Sequence, residues 1–163
     1  MAVVVSDTTP LHYLILIGRE SILEKLYGKV IIPPAVLSEL SHASAPVKIS
    51  NWATHPPAWV SVATPASIPA RFDGLDFGER QALALASEIH ADLVLLDDKV
   101  ARRIAAKESM TVKGTLGIVA DAAKANLLDF VATVEQLQHT SMHLDQDVVD
   151  EVIRDYNRAR QKS

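Results

Sequence analysis

The chain has 163 residues, with 16 Lys plus Arg against 20 Asp plus Glu, a formal charge of −4. That length supports a single domain with a sizeable core, and 48% hydrophobic residues without repeats or low-complexity runs argue against disorder or a fibre. The acid excess excludes a nucleic-acid binder that works by overall basic charge, and the lack of cysteine excludes disulfides, zinc ribbons, thiol catalysis and iron–sulfur clusters.

The apolar run from Ala2 to Val5 stops at Ser6-Asp7. It is too short for a signal-peptide core and lacks a basic flank, and no stretch reaches the roughly 18 apolar residues of a membrane span. The expectation is a soluble, cytoplasmic protein. Val3 to Val5 reads as a buried strand. Thr9 as N-cap and Pro10 at the first helical position then predict a helix that Gly18 ends. A second short helix spans Ser21 to Tyr27. Lys29 to Ile32 reads as a strand, and Pro33-Pro34 open a helix through Leu40.

All eight prolines lie at or before position 69, so 41–71 is the irregular part. Within it, a helix around Pro46 to Ala53 and a strand from Trp59 to Val62 are expected. Trp52 and Trp59 read as packing residues. From Leu75 onward the pattern is cleaner. It predicts a helix from Asp76 to His90, a strand from Leu93 to Leu96, and a helix from Asp98 to Ser109. A strand from Thr111 to Lys113 and a helix from Thr115 to Ala125 follow. Helices near Phe130 to Gln138 and Asp145 to Arg160 close the chain, the last with an apolar stripe through Val149, Val152 and Tyr156. This alternation predicts an α/β fold with a parallel sheet covered on both faces. No linker marks a second domain.

Four acids sit where such a sheet places chemistry. Asp7 follows the first strand and Asp97 the apolar strand ending at Leu96, both at carboxyl ends where crevices form. Glu39 lies on the helix after the second strand, and Glu79 in the first turn of the helix beginning at Asp76. Carboxylates gathered there repel unless protons or a cation neutralise them, and hard oxygen ligands point to Mg²⁺ or Mn²⁺. Each acid also has a structural reading. Asp7 suits an N-cap, Glu39 a solvated helix face, and Asp76 with Glu79 a capping box. One of Asp97 and Asp98 suffices to cap the next helix. Gly78 is a poor residue for a helix start, which makes sense if something approaches the backbone there.

A P-loop, a Gly-x-Ser-x-Gly elbow and a His-x-x-x-His pair are all absent. The Asp-x-Asp motif of a phosphoaspartate phosphatase is absent too, because Thr8 and Thr9 follow Asp7. Lys99, Arg102, Arg103 and Lys107, with Lys113 nearby, form a basic rim beside the acids. Lys99, Arg103 and Lys107 share one helical stripe, readable as a solvated face or as an RNA-backbone contact.

The segments Ser6-Asp7-Thr8-Thr9-Pro10, Pro34 to Leu40, Gly78-Glu79 with the alanine-rich run behind it, and Leu96-Asp97-Asp98-Lys99-Val100-Ala101-Arg102 occur in that order. In this order they resemble the PIN-domain superfamily, the fold of VapC-type toxin ribonucleases. The likeness is to a branch with a Gly-Glu third motif and an Asp-Asp-x-x-Ala-Arg fourth motif, and Gly114-Thr115-Leu116-Gly117 also looks like that branch. It runs from about Val3 to Lys124, with 126–163 a helical C-terminal extension of a single domain.

The resemblance implies a three-layer α/β/α sandwich with a central, mainly parallel sheet, and a metal-dependent endoribonuclease. It places the family acids on Asp7, Glu39, Glu79 and Asp97. Asp7, Asp97, Glu79 and Asp98 would hold Mg²⁺ or Mn²⁺, and Glu39 would orient water or a second ion. The common toxin pattern has an Asp at the third position, so Asp76 is the alternative to Glu79. Implied partners are RNA, a small cognate antitoxin and a second copy of the chain. A catalytically silent module of the same fold, binding RNA or protein, is the alternative reading.

Overall fold

A computed structural model describes residues 2–161. Five strands form one sheet in the order β3-β2-β1-β4-β5, and every neighbouring pair is parallel. They are β1 (Val4–Ser6), β2 (Val30–Ile32), β3 (Val60–Val62), β4 (Leu93–Leu95) and β5 (Val112–Lys113). The chain winds outward from β1 through β2 to β3, then returns to lay β4 on the other side of β1. The strand order therefore reverses between β1 and β4, and the crevice beyond their carboxyl ends is the topological switch point.

The helices are α1 (Thr8–Leu16), α2 (Ser21–Tyr27), α3 (Pro34–Leu40), α4 (Val47–Thr54), α5 (Phe77–Glu88), α6 (Lys99–Lys107), α7 (Thr115–Lys124), α8 (Phe130–Gln138) and α9 (Gln146–Gln161). A single 3-10 turn, Ala70–Phe72, precedes α5. Among the described residues no helix is long and apolar enough to cross a membrane. Gly18 and Gly28 end α1 and α2 with φ of +72° and +79°, a conformation that a side chain would strain.

Two apolar cores lie on the two faces of the sheet, making the three-layer α/β/α sandwich. Val4 and Leu95 join the residues of α1, α3, α4, α7, α8 and α9, whereas Val5, Val94 and Leu96 join those of α5 and α6. The alternation follows from the two-residue period of a strand. Alanines at 82, 84, 86, 101 and 105 let α5 and α6 lie close against their face.

The observed elements depart from the pattern reading mainly at their ends. The first helix begins at Thr8 with Asp7 as N-cap, not at Pro10 with Thr9 as N-cap. Proline is tolerated throughout the first helical turn because the N–H groups there have no intrahelical acceptor. The C-terminal segment is built into the larger core. Phe130, Val134, Leu137, Val149 and Tyr156 are buried in it, and the rings of Phe130 and Tyr156 stack at 4.7 Å. Trp52 and Trp59 pack against one another at 6.2 Å in the same core.

Candidate active site

The site assembles at the switch point. Asp7 directly follows β1, and its backbone N–H donates to the Leu95 carbonyl at 2.9 Å, continuing the β1–β4 ladder. Its side chain is 4% exposed and makes no cap hydrogen bond to α1, although it occupies the N-cap position. Burial pushes its carboxyl up to about 7, opposed by the Thr8 N–H and reinforced by the charges of Glu79, Asp76 and Glu39.

Glu39 reaches this group from α3. Thr8 Oγ1 donates to Glu39 Oε2 at 2.5 Å. The start of α5 makes room for the same carboxylate. A Cβ built at Gly78 would lie 3.0 Å from Glu39 Cδ and 3.1 Å from Oε2, with Oε1 nearer still. The close approach that a glycine at a helix start suggested is therefore the approach of Glu39. The Ala35 N–H, one of the unpaired donors in the first turn of α3, donates to Gln81 Oε1 at 2.9 Å and ties α3 to α5.

Glu79 is 8% exposed. The capping box forms as the spacing of Asp76 and Glu79 suggested: the Glu79 N–H donates to Asp76 Oδ1 at 2.8 Å and the Asp76 N–H to Glu79 Oε1 at 3.1 Å. Capping and participation in the site do not exclude one another, because Oε2 is left over. Burial pushes the Glu79 carboxyl up to about 7, opposed by the Asp76 N–H and reinforced by the charges of Asp76 and Asp98.

The two neighbouring aspartates after β4 diverge. Asp98 caps α6, accepting from the Ala101 N–H at 2.9 Å on Oδ2, and its charge acts on Glu79. Asp97 turns to the other face. Its Oδ1 accepts the Thr115 N–H at 2.8 Å and its Oδ2 the Thr115 hydroxyl at 2.6 Å, fastening β4 to the start of α7. Burial raises the Asp97 carboxyl, while both Thr115 hydrogen bonds and the Arg102 charge oppose the rise. Gly114 leaves the space for this, since a Cβ there would stand 2.8 Å from Asp97 Oδ1.

Strand register explains the split. Ser6 pairs with Leu95, so Asp7 is level with Leu96 and Asp97 lies one residue further on, pointing to the opposite face. Asp7, Glu39, Asp76 and Glu79 thus share one electrostatic field, Asp98 borders it, and Asp97 lies outside it. Thr8, Gln81 and Thr115 position these acids; pattern reading gave none of them a role, although Thr8 and Thr115 stood in the motifs Ser6-Asp7-Thr8-Thr9-Pro10 and Gly114-Thr115-Leu116-Gly117. Thr8 had one sequence signal, its place beside Asp7.

The donor chemistry fits a hard divalent cation: buried, mutually repelling carboxylates beside a glycine cradle. Among the described residues, however, no three His, Cys, Asp or Glu groups stand close enough together to hold an ion. The acids act on one another through space without converging on a point.

The basic rim is in place. Lys99, Arg102, Arg103 and Lys107 are all exposed on α6. Glu108 does not offset them, because it pairs with Arg71 at 3.1 Å. Lys113 pairs with Asp121 instead of extending the rim. Asp97, Lys99 and Arg102 also line a cavity of about 490 Å³, together with Met142, Leu144, Val148 and Val152.

Comparison with known proteins agrees with this architecture. A family model described as DUF3368: PIN domain matches residues 3–158, well beyond the Lys124 limit of the motif likeness. Among solved structures, the chain is similar to a PilT N-terminus domain protein from the hyperthermophilic archaeon Sulfolobus solfataricus P2. That match has a TM-score of 0.51 and 16% identity, over 88% of this chain and 100% of that one. At that identity the likeness concerns the fold. No curated protein matches.

Two outcomes follow from the geometry. Asp7 and Glu79 bind protons more tightly in the folded chain than in the unfolded one. The stability this contributes is complete below about pH 4 and is lost as pH rises through about 7. For Asp7 alone the loss is at most about 4 kcal/mol. Metal-free protein should therefore melt lower at about pH 7.5 than at about pH 5, and Asp7→Asn should raise the melting temperature at the higher pH and flatten the profile. Parallel profiles for the two proteins would contradict the burial argument. Separately, Gly78→Ala should keep or raise stability, by up to about 1 kcal/mol from helix propensity. A crystal structure of that variant should show Glu39 withdrawn from Thr8; an undisturbed Glu39 would contradict the cradle.

Proposed function

Because the chain belongs to the PIN-domain family, whose members are commonly nucleases, we propose that it is a divalent-metal-dependent endoribonuclease. The observation that carries this reading is the burial of Asp7 and Glu79 at the switch point, each with its carboxyl pushed up to about 7. Like charges forced together out of water are an arrangement that a cation relieves. Mg²⁺ or Mn²⁺ held by Asp7, Glu79 and Asp98 would lower the pKa of a bound water and stabilise charge on the phosphoryl oxygens.

The chain's own groups divide the remaining work. Glu79 engages Oε1 in the capping box and keeps Oε2 for the site. Asp98 engages Oδ2 in capping α6 and keeps Oδ1. Glu39, with Oε2 held by Thr8 and Oε1 seated against Gly78, would orient the attacking water and take up its proton. Asp97, with each oxygen accepting one hydrogen bond from Thr115, fastens β4 against α7 and keeps a lone pair on each oxygen. Attack on phosphorus would leave a 5′-phosphate and a 3′-hydroxyl. Lys99, Arg102, Arg103 and Lys107 would take the RNA backbone, countering the acidic charge of the chain as a whole. A toxin role, with a cognate antitoxin and a homodimer, belongs to this proposal through the motif likeness to toxin ribonucleases. Growth arrest on induction that Asp7→Asn does not cause would be its readout.

One observation favours a silent module of the same fold instead: among the described residues no three acids are within reach of one ion. Calorimetry with Mn²⁺ separates the readings, since a silent module takes up no metal.

The deciding measurement is cleavage of single-stranded RNA with Mg²⁺ or Mn²⁺. Asp7→Asn and Asp98→Asn should each lose about a hundredfold or more in rate. Asp98→Asn should keep its stability, because Asn caps a helix as well as Asp. Asp97→Ala should instead lower the melting temperature, because it leaves the buried Thr115 N–H and hydroxyl without their acceptors, at about 1–3 kcal/mol for each unpaired group. Equal activity in wild type and Asp7→Asn would reject the assignment. For the rim, Arg103→Ala should reduce the salt slope of RNA binding by about 1; an unchanged slope would remove it as a phosphate contact.

A further inference from the structure

Among the described residues the exposed large hydrophobic side chains are five valines and Phe77. Phe77 is 53% exposed and is the lone aromatic in that set. It opens α5, between Asp76, which caps the helix, and Gly78, against which the Glu39 carboxylate rests. Two residues further on is Glu79. The ring is therefore carried by the same backbone turn that holds Asp76, Gly78 and Glu79. Phe77 is not among the buried residues of the core on this face, to which Phe72 and Leu75 contribute.

Phe77 also has a cationic neighbour. The Arg80 guanidinium carbon lies 5.6 Å from the ring centroid, and Arg80 Nε is buried without a hydrogen-bond partner. A further exposed apolar residue, Val100, occupies the first turn of α6 just after Asp98, whose charge acts on Glu79. The acids are thus bordered by an aromatic face, a cation and a small apolar surface. Unstacked nucleobases are held by that combination: a π-face to stack on, with arginine beside it. A phosphate alone would need no ring.

We propose that Phe77, backed by Arg80, is the platform on which a nucleobase flanking the scissile phosphate stacks. The proposal rests on the nuclease reading for its substrate class and adds a residue that sets base preference and register. A purine presents a larger π-face than a pyrimidine, so the expected bias is toward a purine at the stacked position.

The test uses the full chain with Ca²⁺ and fluorescein-labelled single-stranded RNA, oligo-adenosine or oligo-uridine, read by anisotropy. Cleavage with Mg²⁺ is measured in parallel. Phe77→Leu keeps the apolar character at an exposed position, and Phe77→Trp keeps the stacking face. Phe77→Leu should weaken binding to oligo-adenosine about tenfold, with a smaller loss for oligo-uridine, and Phe77→Trp should restore both. Equal binding by wild type and Phe77→Leu overturns the proposal. So does a change in sedimentation mass of Phe77→Leu at unchanged RNA affinity, which would make the ring a protein contact. RNA binding that depends on Phe77 without any cleavage supports the platform while rejecting the nuclease reading. Cleavage and binding both indifferent to Phe77 do the reverse.

Discussion

The site depends on carboxylates kept close together out of water at the switch point of a parallel sheet. Asp7 is fixed there by the ladder itself, since its N–H continues the β1–β4 hydrogen bonds. Its side chain then has little choice of environment. It is buried under the first turn of α5 and feels the charges of Glu79, Asp76 and Glu39. A fold built only for stability would place an apolar or hydrogen-bonded group at that point. The raised carboxyls of Asp7 and Glu79 record the cost of not doing so.

The surrounding structure is arranged to hold these charges in place. Two glycines act as spacers of the same kind at different acids: Gly78 yields to Glu39 and Gly114 to Asp97. Helix termini take up the oxygens that the site does not need. Asp76 and Glu79 close a capping box, Asp98 caps α6, and Asp97 fastens the start of α7. Glu79 and Asp98, usually read as stabilising, therefore share their side chains with the site, one oxygen for the helix and one for the crevice. That sharing explains why capping and chemistry cannot be told apart at these positions by residue type alone.

The order of elements was legible because hydrophobic period, prolines and glycines all point the same way. The bounds of α2 and α8 agree with the pattern to the residue. The start of α1 was not legible. Two threonines before a proline offer three possible caps, and only the extended backbone of Asp7 picks one. The acids themselves were visible as carboxylates following strands, and Gly78 was visible as an oddity. What covered Gly78 was not, because Glu39 approaches from a helix about 40 residues away in the chain.

The sequence by itself determined the alternation of strand and helix, the lack of thiol chemistry, and which acids could stand at the carboxyl ends of β1 and β4. Periodicity and composition are local, and those features are local too. Which of the adjacent Asp97 and Asp98 faces the crevice was decided only in three dimensions. The two point to opposite faces, and the register of β4 on β1, with Ser6 beside Leu95, assigns each its face. A shift of one residue in that pairing would exchange their places, and nothing within either strand records it.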